Sequence, residues 1–415
     1  MGKRMSVTRG MAAALVALAG ASAGSAAAAQ AGKVDQALLA EAEQAKSEAL
    51  KLLERLVNID SGTFNGAGLD RVGAIAMEEL KRLGAKVETF PATPAMSRNV
   101  QATLTGTGKG RILLVAHMDT VFPDGAAAAR PFRIDGARAY GPGIMDDKGG
   151  IVVALAALKI LKQSGDTGYG KITLLLNTNE ETGSHGTRAL MEKLAREHDV
   201  ALNLEPGRAA DGLVVMRKGS GEIELEVTGK AAHAGVAPEA GRNAAMEAAH
   251  QVLQLSRLAD AGKQTTVNFT VIKAGERTNV IPDHATVQAD VRVAVPEEFD
   301  RVEQDLARLS ANHLIPDTKV SARLRRGFPP MPKSPVTDAV AAKAQAVYGE
   351  LGRKLTLESS GGAADSSLTF ATGVPTIDGL GIVGGGIHTP EEYAEVESIA
   401  PRAYLLARLI QEYGK

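Results

Sequence analysis

Apolar positions along this chain follow two rhythms. Asp70–Leu83 (DRVGAIAMEELKRL) repeats its apolar side chains at helical spacing and stops at Gly84, which predicts an amphipathic helix. Ile112–Ala116, Ile172–Leu176 and Val200–Leu204 are short continuous apolar runs, the pattern of strands buried on both faces. Lys148–Lys162 carries apolar side chains at 151, 152, 155, 158, 160 and 161, as in a helix packed on a sheet. This alternation predicts an α/β fold, a mostly parallel sheet with helices on both faces.

Around Gly219 the rhythm changes. Glu222–Val227 alternates strictly, with Ile223, Leu225 and Val227 on one side and three glutamates on the other, as in a half-exposed antiparallel strand. A helix over about 241–257, strands over about 265–273 and 285–293, a helix over about 297–312 and a strand near 319–324 follow. That βαββαβ order is ferredoxin-like and makes an inserted α+β domain. An Ala-rich helix at 338–350 and a Gly-rich stretch then resume the first style. The predicted division is a leader at 1–29, an α/β domain in two segments at 30–217 and 329–415, and the insertion at 218–328.

The leader is read from Lys3, Arg4 and Arg9 ahead of the apolar Met11–Ala19 and small residues as far as Ala29. A charged start, an apolar middle and an Ala-x-Ala-like end form a cleavable secretory signal, cut near residues 29–30, and imply a periplasmic or secreted protein. No later stretch is apolar for long enough to span a bilayer. A net charge of −1 gives no basic surplus for nucleic acid. With no cysteine, thiolate chemistry and sulfur-held metals are excluded, so any metal must rest on His, Asp and Glu.

Chemistry-bearing residues stand at the carboxyl ends of the predicted parallel strands: His117-Met-Asp119, Asp146-Asp147 before the covering helix, Glu180-Glu181, and Glu205-Pro206. Ligands bind in that crevice of an open parallel sheet. Converging buried carboxylates repel one another at high cost, so convergence calls for divalent cations, and zinc suits oxygen and imidazole donors.

In these motifs and their order, with Gly384-Gly-Gly-Ile-His388 following, the chain resembles the di-zinc aminoacylase/carboxypeptidase family of amidohydrolases. Within it the likeness is greatest to secreted, folate-hydrolysing glutamate carboxypeptidases. The resemblance runs over essentially the whole mature chain and implies two Zn²⁺ per chain. His117 and Glu205 would hold one ion, Glu181 and His388 the other, and Asp146 would bridge them across a cis Asp146–Asp147 bond. Glu180 would be the general base, with Asp119 orienting His117. In the inserted lid, His233 would stabilise the oxyanion, often from the other subunit of a homodimer. Asn279 and Arg292 would grip the substrate carboxylate, helped by backbone N–H groups of Gly361 and Gly362.

The activity so implied is release of a C-terminal amino acid, glutamate, from an N-acyl or peptidyl substrate. Arg217, Lys218 and Arg326 are the candidate cations for the glutamate side chain. Asp365 reads as a helix cap, and histidines 185, 198, 250, 284 and 313 as structural or exposed. Glu180 and Glu181 are expected on opposite sides of an extended backbone. The sequence departs from the family at Asn179, where Asp is expected, at Thr182, and over Arg208–Lys218, a stretch placed to select the side chain. The alternatives are a deacylase or dipeptidase on the same machinery and, from another class, a metal-independent exported solute-binding protein.

Overall fold

The structure is a computed structural model describing residues 33–93 and 97–415; the expected leader lies outside the described residues. A six-stranded sheet runs in the order Lys86–Pro91, Arg98–Thr105, Lys171–Asn177, Arg111–His117, Val200–Asn203, Thr376–Ile377. The last four strands are parallel and the first two form an antiparallel edge. The apolar run at 112–116 divides its side chains as a strand must. Ile112, Leu114 and Ala116 pack with the helices Gln36–Val57, Lys148–Gln163 and Ile399–Gly414. Leu113 and Val115 face the other way, onto the helices Arg188–Arg196 and Asp365–Ala371. Both faces are therefore covered, as the continuous apolar pattern predicts.

The second sheet is antiparallel throughout, in the order Thr266–Ala274, His284–Val293, Gly219–Thr228, Lys319–Arg326. Ile223, Leu225 and Val227 are buried with Val287, Val291, Phe299 and Val302 in a core that shares no residue with the first. Two helices, Ala244–Leu255 and Glu297–Ser310, cover that face. The opposite face carries Glu222, Glu224, Arg323 and Arg325, paired across neighbouring strands. The fold is thus an α/β unit with a ferredoxin-like α+β unit between its chain segments.

Smaller elements aim the loops. Leu213–Arg217 pairs in parallel with Leu357–Ser360. A four-stranded antiparallel sheet built from Gly384–Gly385, Tyr393–Glu395, Arg138–Tyr140 and Arg133–Asp135 frames the loop bearing His388. Among the described residues no helix is long and apolar enough to cross a membrane.

Candidate active site

His117 is the last residue of its strand, so its side chain emerges at the sheet's carboxyl edge. Its Nε2 lies 3.0 Å from Asp146 Oδ1 and 3.5 Å from Glu205 Oε1. The other oxygen of Asp146, Oδ2, is 3.2 Å from His388 Nε2, which is also 3.3 Å from Glu181 Oε2. Residues from four separate loops therefore meet around one carboxylate whose two oxygens face two different imidazoles. His388 reaches it with a left-handed backbone, φ 63°, a conformation that non-glycine residues hold only when their surroundings impose it.

The backbone behind these side chains is held by buried polar groups. Asp119 accepts from Thr63 Oγ1 at 2.7 Å, from the Glu180 N–H at 3.1 Å and from the Glu181 N–H at 3.2 Å. The same carboxylate lies 3.3 Å from His117 Nδ1. Glu180–Thr182 is a short 3₁₀ turn, not the extended backbone expected, so the two glutamates diverge by turn rotation. Asp365 is likewise no cap. It makes no capping bond, and its buried carboxylate accepts from Asn177 Nδ2 at 2.8 Å and from Ser184 Oγ, bracing the glutamate turn from behind. The Asp146–Asp147 bond is cis. Glu392, which no local sequence pattern marks, accepts from the N–H groups of Gly143, Met145 and Asp146 at 2.8–3.0 Å and so presents the Asp146 loop. Gly143, at φ 69°, and Gly150, where a Cβ would lie 2.0 Å from Asp147 Oδ1, allow this close approach of loop, helix and strand.

Electrostatics follows from the crowding. Burial and neighbouring Glu205 hold the Glu180 carboxyl well above the ordinary range. Burial lifts Glu181 to about 7. Asp146 is also buried, but its contacts with His117 and His388 outweigh burial and hold it below the usual range. For His117, burial opposes charge, and the carboxylates of Asp119, Asp146 and Glu205 overcome it and raise its pKa. His388 rises to about 10 beside Asp146 and Glu181. The donors group geometrically as His117, Asp146, Glu181 and as His117, Glu180, Glu205. Glu181 Oε1 and Asp147 Oδ1 are buried without a hydrogen-bond partner. Such an excess of oxygen and imidazole donors, with acceptors left unfilled by the protein, fits divalent cations.

Arg217, expected to meet a substrate side chain, is fully engaged elsewhere. It is buried, donates from Nη2 to Glu205 Oε2 at 3.1 Å and from Nε to Asp378, and reaches the Gly362 carbonyl at 3.2 Å. Burial opposes its charge, yet those two acids hold its pKa above the ordinary value. Its role is to balance Glu205. Arg326 is likewise bound to Asp300 and Glu303. Lys218 is half-buried and does not line the cavity.

A cavity of about 1170 Å³ opens over the cluster, between loops of the α/β unit and strands of the antiparallel sheet. Asp146, Glu180 and Glu205 line one side, Asp290 and Arg292 the other, with Gly361 and Gly362 at its rim. Arg292 pairs with Asp290 at 2.9 Å. His233 and Asn279 lie side by side on the inserted unit, where the Ala234 N–H donates to the Asn279 carbonyl, but both are exposed and outside this cavity. Within one chain the structure therefore brings together His117, Asp119, Asp146, Glu180, Glu181, Glu205, His388 and Arg292, and leaves His233 and Asn279 apart.

A parallel sheet whose carboxyl edge gathers these donors under a cleft has the make-up of a metallohydrolase of amide or peptide bonds. The chain belongs to the peptidase family M20/M25/M40, whose model matches residues 113–412. It is 39% identical over 386 residues, 92% of this chain and 93% of the other, to carboxypeptidase G2 of Pseudomonas sp. strain RS-16. To succinyl-diaminopimelate desuccinylase of Gluconacetobacter diazotrophicus it is 27% identical over 88% of this chain and 97% of that one. Among solved structures, aminopeptidase PepT of Bacillus cereus superposes with TM-score 0.77 at 25% identity, covering 89% of this chain and 99% of that one. Family membership makes the chain a hydrolase and sets aside the solute-binding alternative.

Proposed function

We propose that this protein is a zinc-dependent exopeptidase that releases a C-terminal glutamate from N-acyl or peptidyl, folate-like substrates, with two zinc ions per chain. The placement of Asp146 between His117 and His388, one oxygen toward each, carries this reading. His117, Glu205 and Asp146 would hold one ion, and His388, Glu181 and Asp146 the other. When bound, such a pair supplies Lewis acidity toward the scissile carbonyl and lowers the pKa of water toward neutrality.

The chain's own groups do the rest. Glu180, buried and with its proton affinity raised, takes a proton from the attacking water on its carboxylate and returns it to the leaving amine nitrogen. Asp119 engages the second ring nitrogen of His117 through its backbone carbonyl at 3.0 Å, with its carboxylate 3.3 Å away, and fixes the tautomer. Arg292, here paired with Asp290, would receive the substrate α-carboxylate together with the N–H groups of Gly361 and Gly362, the latter now donating to Ser360 Oγ at 3.1 Å, and so restrict cleavage to a chain end. His233 and Asn279, which lie outside the cavity of one chain, would serve the site from the neighbouring subunit of a homodimer, as the family resemblance implies. Residues 1–29, read as a secretory leader, would send the protein to the periplasm or outside the cell.

Release of a different acylated amino acid is the second reading, favoured by the likeness to a desuccinylase. Reconstituting the protein with zinc and assaying N-acyl-glutamate, N-acyl-alanine, N-acyl-arginine and simple dipeptides decides between them. Hydrolysis led by the glutamate substrate supports the first reading; a lead by any other substrate overturns it.

A further inference from the structure

The cavity's arginines are not equivalent. Arg217 is bound to Glu205 and Asp378, Arg292 to Asp290, Arg325 to Glu222 and Glu224, and Arg326 to Asp300 and Glu303. Arg208 also lines the cavity and, among the described residues, has no carboxylate partner. Its one side-chain hydrogen bond runs from Nη2 to Ser360 Oγ at a long 3.4 Å. Of the two acids three residues away, Glu205 accepts from Arg217 at 3.1 Å, and Asp211 is taken by Tyr348 at 2.8 Å and Arg353 at 2.9 Å.

The backbone beneath Arg208 is fixed. Its N–H donates to the Gly212 carbonyl at 2.9 Å and its carbonyl accepts from the Gly212 N–H at 3.0 Å. It stands three residues after Glu205 and borders Ser360, Gly361 and Gly362. A half-buried guanidinium with spare donors, anchored at both backbone groups and open to a cleft, is built to receive a planar anion bidentately.

We propose that Arg208 is a specificity-determining residue that binds the side-chain carboxylate of the released amino acid, so that the enzyme selects acidic C-terminal residues. This rests on the function proposed above, which puts the α-carboxylate at the neighbouring Gly361–Gly362 rim. The second carboxylate could instead belong to the acyl group. The position of Arg208 on the rim of the leaving residue assigns it to that residue.

The test compares kcat/KM for N-acyl-glutamate and the isosteric N-acyl-glutamine in zinc-loaded wild type and in Arg208→Gln. Bound metal and melting temperature are measured on both to show an intact fold. Wild type should prefer glutamate, and Arg208→Gln should shrink the glutamate-to-glutamine ratio roughly 10- to 100-fold, the size of a lost charged hydrogen bond, mostly through KM. Arg208→Glu should shift the preference toward N-acyl-lysine. A wild type that does not prefer glutamate overturns the glutamate reading and this proposal together. A wild-type preference that survives Arg208→Gln overturns the Arg208 assignment alone. So does a collapse confined to succinyl-alanine against acetyl-alanine, which would move the carboxylate to the acyl side.

Discussion

The carboxylate of Asp119 meets Thr63, both N–H groups of the glutamate pair and the ring of His117, so one buried side chain fixes the histidine and glutamate motifs relative to each other. The residue it positions most consequentially is Glu180. Glu180→Gln should lower kcat roughly 10²- to 10⁴-fold with the metal content of the wild type, read by elemental analysis beside the assay. Largely retained turnover would remove Glu180 from proton transfer. Arg217 supports a different prediction. Removing it leaves Glu205 and Asp378 buried without their counter-charge, so Arg217→Met should destabilise the fold by about 3–5 kcal/mol in denaturant unfolding. Adding Asp378→Asn to that variant should recover part of the loss. In the sequence this arginine was legible only as a cation near the site. Its partner Asp378 lies far along the chain, and no local pattern announces a buried ion pair. Glu392 escaped for the same reason, since it holds the Asp146 loop from a distant segment.

Elements were legible wherever burial is two-sided or strictly alternating. The run at 112–116 became the strand Arg111–His117, and the alternation at 222–227 became part of Gly219–Thr228. The 15-residue apolar stripe from Lys148 became the helix Lys148–Gln163. Less was visible where structure depends on distant partners. The edge strands Lys86–Pro91 and Arg98–Thr105 are half-polar and take their form from pairing with each other and with Lys171–Asn177. The glutamate turn was misjudged because adjacency in sequence does not reveal the Asp119 contacts that curl it.

His198, just beyond the helix Arg188–Arg196, ties that helix to the sheet. Its Nδ1 is 2.6 Å from the Leu194 carbonyl and its Nε2 2.8 Å from Thr173 Oγ1. Burial lowers its pKa to about 4, so the folded state keeps it neutral. Since the unfolded chain then binds the extra proton, this contribution is complete above the ordinary pKa of 6.5 and is lost as pH falls toward 4. The stability advantage of wild type over His198→Gln should shrink by roughly 2 kcal/mol between about pH 7.5 and about pH 5, measured by urea unfolding. A pH-independent difference would contradict the buried neutral imidazole.

At the scale of the whole molecule, two separate hydrophobic cores meet across one polar cleft. The acidic cluster sits at the edge of the larger core, so cations bound there should stabilise the folded chain. Stripping them with a chelator should lower the melting temperature, and restoring zinc should reverse the loss, each site contributing about 3 kcal/mol when the ion stands at ~100 times its dissociation constant. A melting temperature indifferent to chelator would argue against the metal centre. The donors come from both sides of the insertion: His117 through Glu205 before it, His388 after it. Threaded through a ribosome from its amino end, the polypeptide can already have shaped most of the crevice while the second imidazole is still untranslated. A chain that stopped short of residue 388 would therefore own the crevice but lack the imidazole that faces Asp146 and Glu181 from its far side.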